Sequence, residues 1–185
     1  MDMNEKTSGI TNLCLKETST NPYEIFHHIA ASDYVSIHGP EHHVLDGACL
    51  LTAYRNAGGA IDLPAALEKM RAEGLRMPGA ICGLWGVCGA VLSVGCALSI
   101  LEGTGPLSTD GTWGAHMSYT AQAVEAIAKT HGPRCCKRDG MLALEVGIRY
   151  INDHFPVTLP AEGAVCTYSQ QNAQCIHTLC PFYRG

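Results

Sequence analysis

Gly79-Ala-Ile-Cys-Gly-Leu-Trp-Gly-Val-Cys-Gly-Ala-Val-Leu-Ser-Val-Gly-Cys-Ala-Leu-Ser-Ile-Leu101 runs for twenty-three residues without a charge, between Arg76 and Glu102. Its length satisfies the requirement for crossing a bilayer, about 20 predominantly apolar residues. Its content points elsewhere. Five glycines, three cysteines and two serines make it small and only moderately apolar, and it has neither aromatic belts nor a basic cluster at one end. The spacings Gly79/Gly83 and Gly86/Ala90 let a neighbouring backbone approach closely. The stretch therefore predicts a buried central helix of a soluble bundle, and a membrane span is the disfavoured reading.

Helical signals flank it on both sides. Asn21-Pro22 supplies a side-chain cap and a preset proline φ, and Tyr23, Phe26, Ile29 and Ala30 follow at helical spacing to about Ser32. Pro40-Glu41 opens a second helix through Val44, Leu45, Ala48, Leu51 and Tyr54, which Gly58-Gly59 stops. A third runs from Asp62-Leu-Pro64 to Gly74, and residues 78–101 make the fourth. After a turn-rich loop over 103–111, a fifth helix begins near Thr112 and ends at His131-Gly132-Pro133. A sixth covers about Lys137 to His154. Alternation of β-branched residues is nearly absent. The expected fold is an all-α, single-domain helical bundle, residues 21–185, built around the glycine-rich helix. Residues 1–20, polar and aperiodic, are expected to form a loose N-terminal arm, and residues 160–185 a cysteine-bearing tail folded back on the bundle.

A chain of 185 residues is long enough for one domain with a sizeable core. Its net charge of -5, with few and scattered basic residues, gives no electrostatic footprint for nucleic acid. The opening Met-Asp-Met-Asn-Glu-Lys lacks a basic segment followed by an apolar one, so a cytoplasmic location is expected. In a reducing compartment cysteine clusters are more often metal ligands or redox-active thiols than structural disulfides.

Five of the ten cysteines fall in the last fifty-one residues: Cys135, Cys136, Cys166, Cys175 and Cys180. Zinc and iron–sulfur clusters need converging thiolates, usually a local pair plus ligands from elsewhere. Cys175-x4-Cys180 is such a pair, Cys166 lies nearby, and Cys135 or Cys136 closes a four-thiolate set, with His177 as an alternative ligand. Thiol–disulfide exchange is the competing reading of the same residues. The basic Arg134, Lys137 and Arg138 beside Cys135-Cys136 are expected to favour thiolate.

His38-Gly-Pro-Glu-His-His43 is the second constellation, with His38, His42 and His43 as candidate metal ligands and Glu41 and His42 as candidate proton carriers. It satisfies the H-x-x-E-H pattern formally, but Gly39-Pro40 places His38 ahead of the first helical turn and breaks the shared face that pattern needs. A helix start with a favourably placed Glu41 is the plainer reading. Cys82, just after Pro78, is a candidate nucleophile or ligand at a helix start. On one continuous helix Cys82 and Cys88 would face different ways. No phosphate loop, dinucleotide fingerprint or serine-nucleophile elbow is present.

The blocks His38-Gly-Pro-Glu-His-His43, Pro78-Gly-Ala-Ile-Cys-Gly83, Gly132-Pro-Arg-Cys-Cys-Lys-Arg138, Cys166-x-Tyr-Ser-x-x-Asn172 and Cys175-x4-Cys-Pro-Phe182 resemble those of an uncharacterised cysteine-rich family from anaerobic bacteria and archaea. Some members carry this domain attached to a methyltransferase-like domain. The resemblance implies a zinc or iron–sulfur metal-binding, or redox, accessory protein of anaerobic metabolism with a methyltransferase or redox partner. The alternative is a non-enzymatic interaction module whose metal or disulfide staples the tail, the glycine-rich face meeting another subunit or a second copy of the chain.

Overall fold

The computed structural model describes residues 1–184, and in them the chain is all-helical. Eight helices follow in order: α1 (Met3–Cys14), α2 (Pro22–Ala30), α3 (His42–Asn56), α4 (Leu63–Arg76), α5 (Ile81–Leu84), α6 (Gly89–Glu102), α7 (Thr112–Ala128) and α8 (Cys136–His154). Short 3-10 turns at Ser169–Gln171 and His177–Leu179 interrupt an otherwise irregular tail.

The centre is α3. Every residue from His42 to Tyr54 is buried, and α1, α2, α4, α6 and α8 all pack against it. Gly47 makes the closest approach: its N–H reaches Ser93 Oγ of α6 at 2.9 Å, and a Cβ there would collide with the Ser93 carbonyl. α8 packs on α6 and α3 at Gly147, where an added Cβ would meet Val94 of α6 and Leu50 of α3, and α7 covers α6 and α8.

Three helix starts follow the sequence closely. Asn21 Oδ1 accepts from Tyr23 N at 2.9 Å with Pro22 in the first turn, and Asp62 caps α4 in the same way through Ala65 N at 3.2 Å. The third corrects the expected loose arm. Residues 3–14 form α1, opened by a reciprocal pair in which Asp2 Oδ1 accepts from Glu5 N and Glu5 Oε2 accepts from Asp2 N, both at 2.9 Å. Ile10 and Cys14 of α1 are fully buried.

The glycine-rich stretch is not one helix. It breaks into the four-residue α5 and the longer α6, because Ala80 (φ 64°) and Gly86 (φ 70°) adopt left-handed conformations and Cys88 is extended. Clustered glycines at 79, 83 and 86 remove the helix propensity that would have carried the first half through. Only its second half, α6, is the buried glycine-containing helix, and no helix among the described residues is long and apolar enough to cross a membrane.

The tail beyond α8 has more apolar anchorage than its composition suggests. Asn152 brackets Leu159 with two hydrogen bonds, 2.7 and 3.0 Å, and Tyr168 and Phe182 are each 6% exposed within the main core. Cys166 N donates to the Phe182 carbonyl at 2.8 Å, so both ends of the tail are tied together.

Candidate functional site

The loop ahead of α3 and the first turn of α8 meet beneath the tail. His38 stands outside α3. It hydrogen-bonds Asn172 Oδ1 through Nε2 at 3.0 Å, and its Nδ1 accepts from Cys136 N at 3.5 Å. Asn172 also receives Gln174 N (2.9 Å) on Oδ1 and donates from Nδ2 to Cys135 Sγ at 3.5 Å. The histidine loop, the start of α8 and the tail are thus linked through one buried asparagine.

Glu41 is 1% exposed and accepts from Ser36 N at 2.7 Å, with Lys6 Nζ of α1 at 3.5 Å. Burial pushes its carboxyl upward, but hydrogen bonds from its own and the Ser36 backbone N–H, with the charges of His42 and Lys6, hold it below the ordinary value. Its contacts pin the loop rather than face a cavity.

His42 is buried with Nε2 3.2 Å from the Ser36 carbonyl and 3.3 Å from Lys137 Nζ, and Nδ1 3.8 Å from Asp46 Oδ1. Protonated at Nε2 it donates to Ser36; unprotonated there it accepts from Lys137. Neither Asp46 oxygen nor His42 Nδ1 has a hydrogen-bond partner among the described residues. Lys137, 1% exposed, lies 5.0 Å from the Tyr168 ring centroid and 6.0 Å from that of Phe26. Burial pushes its pKa down to about 8 against the opposing charges of Asp46, Cys136 and Glu41.

Cys135 and Cys136, adjacent in sequence, face different spaces. Cys135 joins Cys166, Cys175 and Cys180 around a cavity of about 20 Å³. That volume is close to the least that holds one water. Backbone N–H groups aim at two of the tail sulfurs, Tyr168 N to Cys166 Sγ and His177 N to Cys175 Sγ, each at 3.4 Å. Burial raises the thiol pKa of Cys135 and Cys166. As the side chains stand, no three of the His, Cys, Asp or Glu groups among the described residues are grouped tightly enough to hold one metal ion.

Cys136 lines a second, larger cavity of about 310 Å³ together with His38, His42, His43, Cys82, Cys88, Arg134 and Asp139. Burial pushes its thiol up to about 11, so the neighbouring cations do not produce the thiolate expected from the basic run. Because the glycine-rich stretch breaks between α5 and α6, Cys82 and Cys88 face the same cavity instead of opposite helix faces. Cys82 itself lies inside the four-residue α5, not at the start of a long helix. His43, 8% exposed, donates from Nδ1 to the Met77 carbonyl at 3.3 Å, and burial lowers its pKa. Asp139 accepts from Arg138 Nε at 2.8 Å and from Cys135 N at 3.3 Å. A third cavity of about 490 Å³ adjoins this one, sharing Cys82, Cys88, Arg134 and Asp139 and walled on its far side by Val124, Ile127 and Ala128 of α7.

The residues singled out in the sequence therefore divide. Cys135, Cys166, Cys175 and Cys180 gather in one place; His38, His42, His43, Cys82 and Cys136 gather around the neighbouring cavity, and Glu41 stays in the loop. Asp46 and Asp139 went unnoticed in the sequence, while Lys137 was read only as a cation beside the thiols and Asn172 only as the end of a family block. Asp46 carried a signal, being the one acid inside the apolar run His42–Tyr54. No curated protein and no solved structure matches the chain. The match that exists covers residues 10–183, and by it the chain belongs to a family of unknown function, DUF5714.

Proposed function

We propose that the protein is a metal-binding accessory protein in which Cys135, Cys166, Cys175 and Cys180 hold a single zinc ion as thiolates. The ion would fix the tail to the first turn of α8. The observation that carries this reading is the shared cavity: four thiols drawn from three separate segments surround a space sized for one atom. The N–H donors on Cys166 and Cys175 and the Asn172 amide on Cys135 support it, since hydrogen bonds to sulfur favour the charged ligand form. A space of about 20 Å³ favours one ion over a multi-iron cluster. Binding requires the four side chains to draw together, since Cys-ligated zinc accepts four thiolates at about 2.3 Å. A closed four-thiolate site leaves no coordination position for substrate, so ligand handling falls to the chamber beside it.

Metal and acid-labile sulfide analysis of protein purified without oxygen and without a metal-binding tag tests the proposal. One zinc per chain is expected, lost in Cys175→Ser and Cys180→Ser and retained in Cys82→Ser and Cys136→Ser. Iron with sulfide, zinc that survives Cys175→Ser, or metal-free protein whose tail thiols pair on mild oxidation would overturn it.

A further inference from the structure

Residues 78–87 sit loosely on the fold. Among the described residues their hydrogen bonds stay within the segment: Gly83 N and Leu84 N donate to the Ala80 carbonyl at 3.1 and 3.2 Å, and Trp85 N donates to the Ile81 carbonyl at 2.8 Å. α5, the single helical turn inside the segment, packs substantially against no other helix. Leu84 and Trp85, at 77% and 65% exposure, turn their apolar side chains to solvent.

Ile81 is the anchor. It is 2% exposed, yet among the described residues it is the one buried apolar side chain that stands outside the main core cluster. Open spaces surround the segment where packed side chains would otherwise hold it. Ile81 borders both the 310 Å³ cavity and a further one of about 260 Å³, which it shares with Met77, Trp85 and Leu92. Gly83 and Gly86 border the 490 Å³ cavity, and Ala80 and Cys82 border it and the 310 Å³ cavity together. A Cβ added at Gly79, Gly83 or Gly86 would have no heavy atom within 4 Å.

The two ends, by contrast, are fixed at one point. His43 of α3 donates from Nδ1 to the carbonyl of Met77, the residue just before the segment, at 3.3 Å. Its imidazole also lies against Gly89, the first residue of α6. A surface loop with its ends held together is the form of an Ω-loop. Within it, Ala80 at φ 64° and Gly86 at φ 70° flank α5, and a left-handed residue bearing a Cβ is strained. Hinges are built from a few such positions at the ends of an element.

We propose that residues 78–87 form a flap over the 310 and 490 Å³ cavities, pivoting at Ala80 and Gly86 and latched by Ile81. The two cavities share Ala80, Cys82, Cys88, Arg134 and Asp139, so one movement opens both. Lifting the flap withdraws Ala80, Ile81 and Cys82 from the wall and admits solvent to Cys136, which α8 contributes to the same cavity. The inference is independent of the zinc reading, because none of the four tail-site thiols lines either cavity.

Native-state hydrogen exchange of the full chain, with N-ethylmaleimide labelling of Cys136 followed by peptide mapping, tests it. The hydrogen-bonded amides of Gly83, Leu84 and Trp85 are expected to exchange at least about 100-fold faster than those of α6. Ile81→Ala removes the latch and should speed Cys136 labelling about thirtyfold, the shift that matches the low end of an isoleucine-to-alanine truncation. Gly86→Ala puts a Cβ at φ 70° and should speed it about fivefold. Gly83→Ala meets no neighbour and should not speed it. Protection of α3, α6 and α8 should stay native throughout, which separates flap opening from loss of the fold. Amides of Gly83, Leu84 and Trp85 as protected as those of α6, Cys136 labelling that Ile81→Ala and Gly86→Ala leave unchanged, or acceleration shared by α3, α6 and α8 overturns the proposal. Zinc content in any of these variants bears only on the thiolate reading.

Discussion

Glu41→Gln separates a structural glutamate from a catalytic one. The substitution preserves the shape of a side chain that is 1% exposed and removes only its charge. The bond from Ser36 N at 2.7 Å then loses its ionic acceptor, and Lys6 Nζ at 3.5 Å loses its counter-charge. A charge-assisted hydrogen bond contributes about 1.5–3 kcal/mol against about 1 for a neutral one, and a partly exposed ion pair adds about 0.5, so the expected loss at neutral pH is about 2 kcal/mol. The pH dependence has a definite sign. Glu41 is held below its ordinary value of 4.5 in the fold, so between the two values the unfolded chain binds more protons and stability rises with pH. Its contribution is complete above 4.5 and disappears as pH falls through the folded-state value. Urea denaturation followed by far-UV circular dichroism should show the two proteins separated at neutral pH and converging in acid. Equal midpoints at neutral pH would refute this account, as would a gap that persists unchanged in acid. Zinc content should be native in Glu41→Gln, since its carboxylate faces neither cavity; loss of zinc with full stability would return Glu41 to the site.

Gly47→Ala should lower stability by about 2 kcal/mol in thermal denaturation: collision with the Ser93 carbonyl and Met70 Sδ outweighs the gain of about 1 from better helix propensity. Gly83→Ala, with no heavy atom within 4 Å of the added methyl, should be neutral or slightly stabilising, and an equal fall in both variants would contradict the close α3–α6 approach. Asn172→Ala removes the groups that join His38, Cys135 and Gln174, so amide hydrogen exchange over residues 164–183 should quicken while α3 and α6 stay protected. Unchanged exchange in the tail would show that Tyr168 and Phe182 alone hold it.

Helices α2 and α4 were readable because their start signals are local: a capping side chain, a proline in the first turn and apolar residues at helical spacing. α1 carried the same kind of signal in Asp2-x-x-Glu5, but its mostly polar run obscured the buried positions Ile10 and Cys14. The glycine-rich stretch misled for a different reason. Hydropathy registers an uncharged run and is blind to backbone conformation, so the left-handed residues Ala80, just before α5, and Gly86, between α5 and α6, left no trace in it. That break also decides the chamber, since only a folded-over segment can put Cys82 and Cys88 on one wall.

Within the site, the gathering of Cys135 with the tail cysteines was legible from clustering, whereas the burial of Asp46 and Lys137 was not, because burial is settled by elements distant in sequence. The first turn of α8 shows how much a local pattern can conceal. Successive residues of a helix step round its axis by about 100°. Cys135, at the cap, faces the tail thiols, and Cys136 faces the chamber. Lys137 points inward between Phe26 and Tyr168, while Arg138 and Asp139 pair with one another at the border of the cavities. Read as a line, Arg-Cys-Cys-Lys-Arg-Asp suggests cations activating neighbouring thiols. Wound into a helix start and buried, the same residues are sent to separate tasks: burial raises the thiol pKa values of Cys135 and Cys136 in spite of the adjacent positive charges. Reactivity at this turn is therefore governed by what each side chain meets across the fold rather than by its neighbour in the chain.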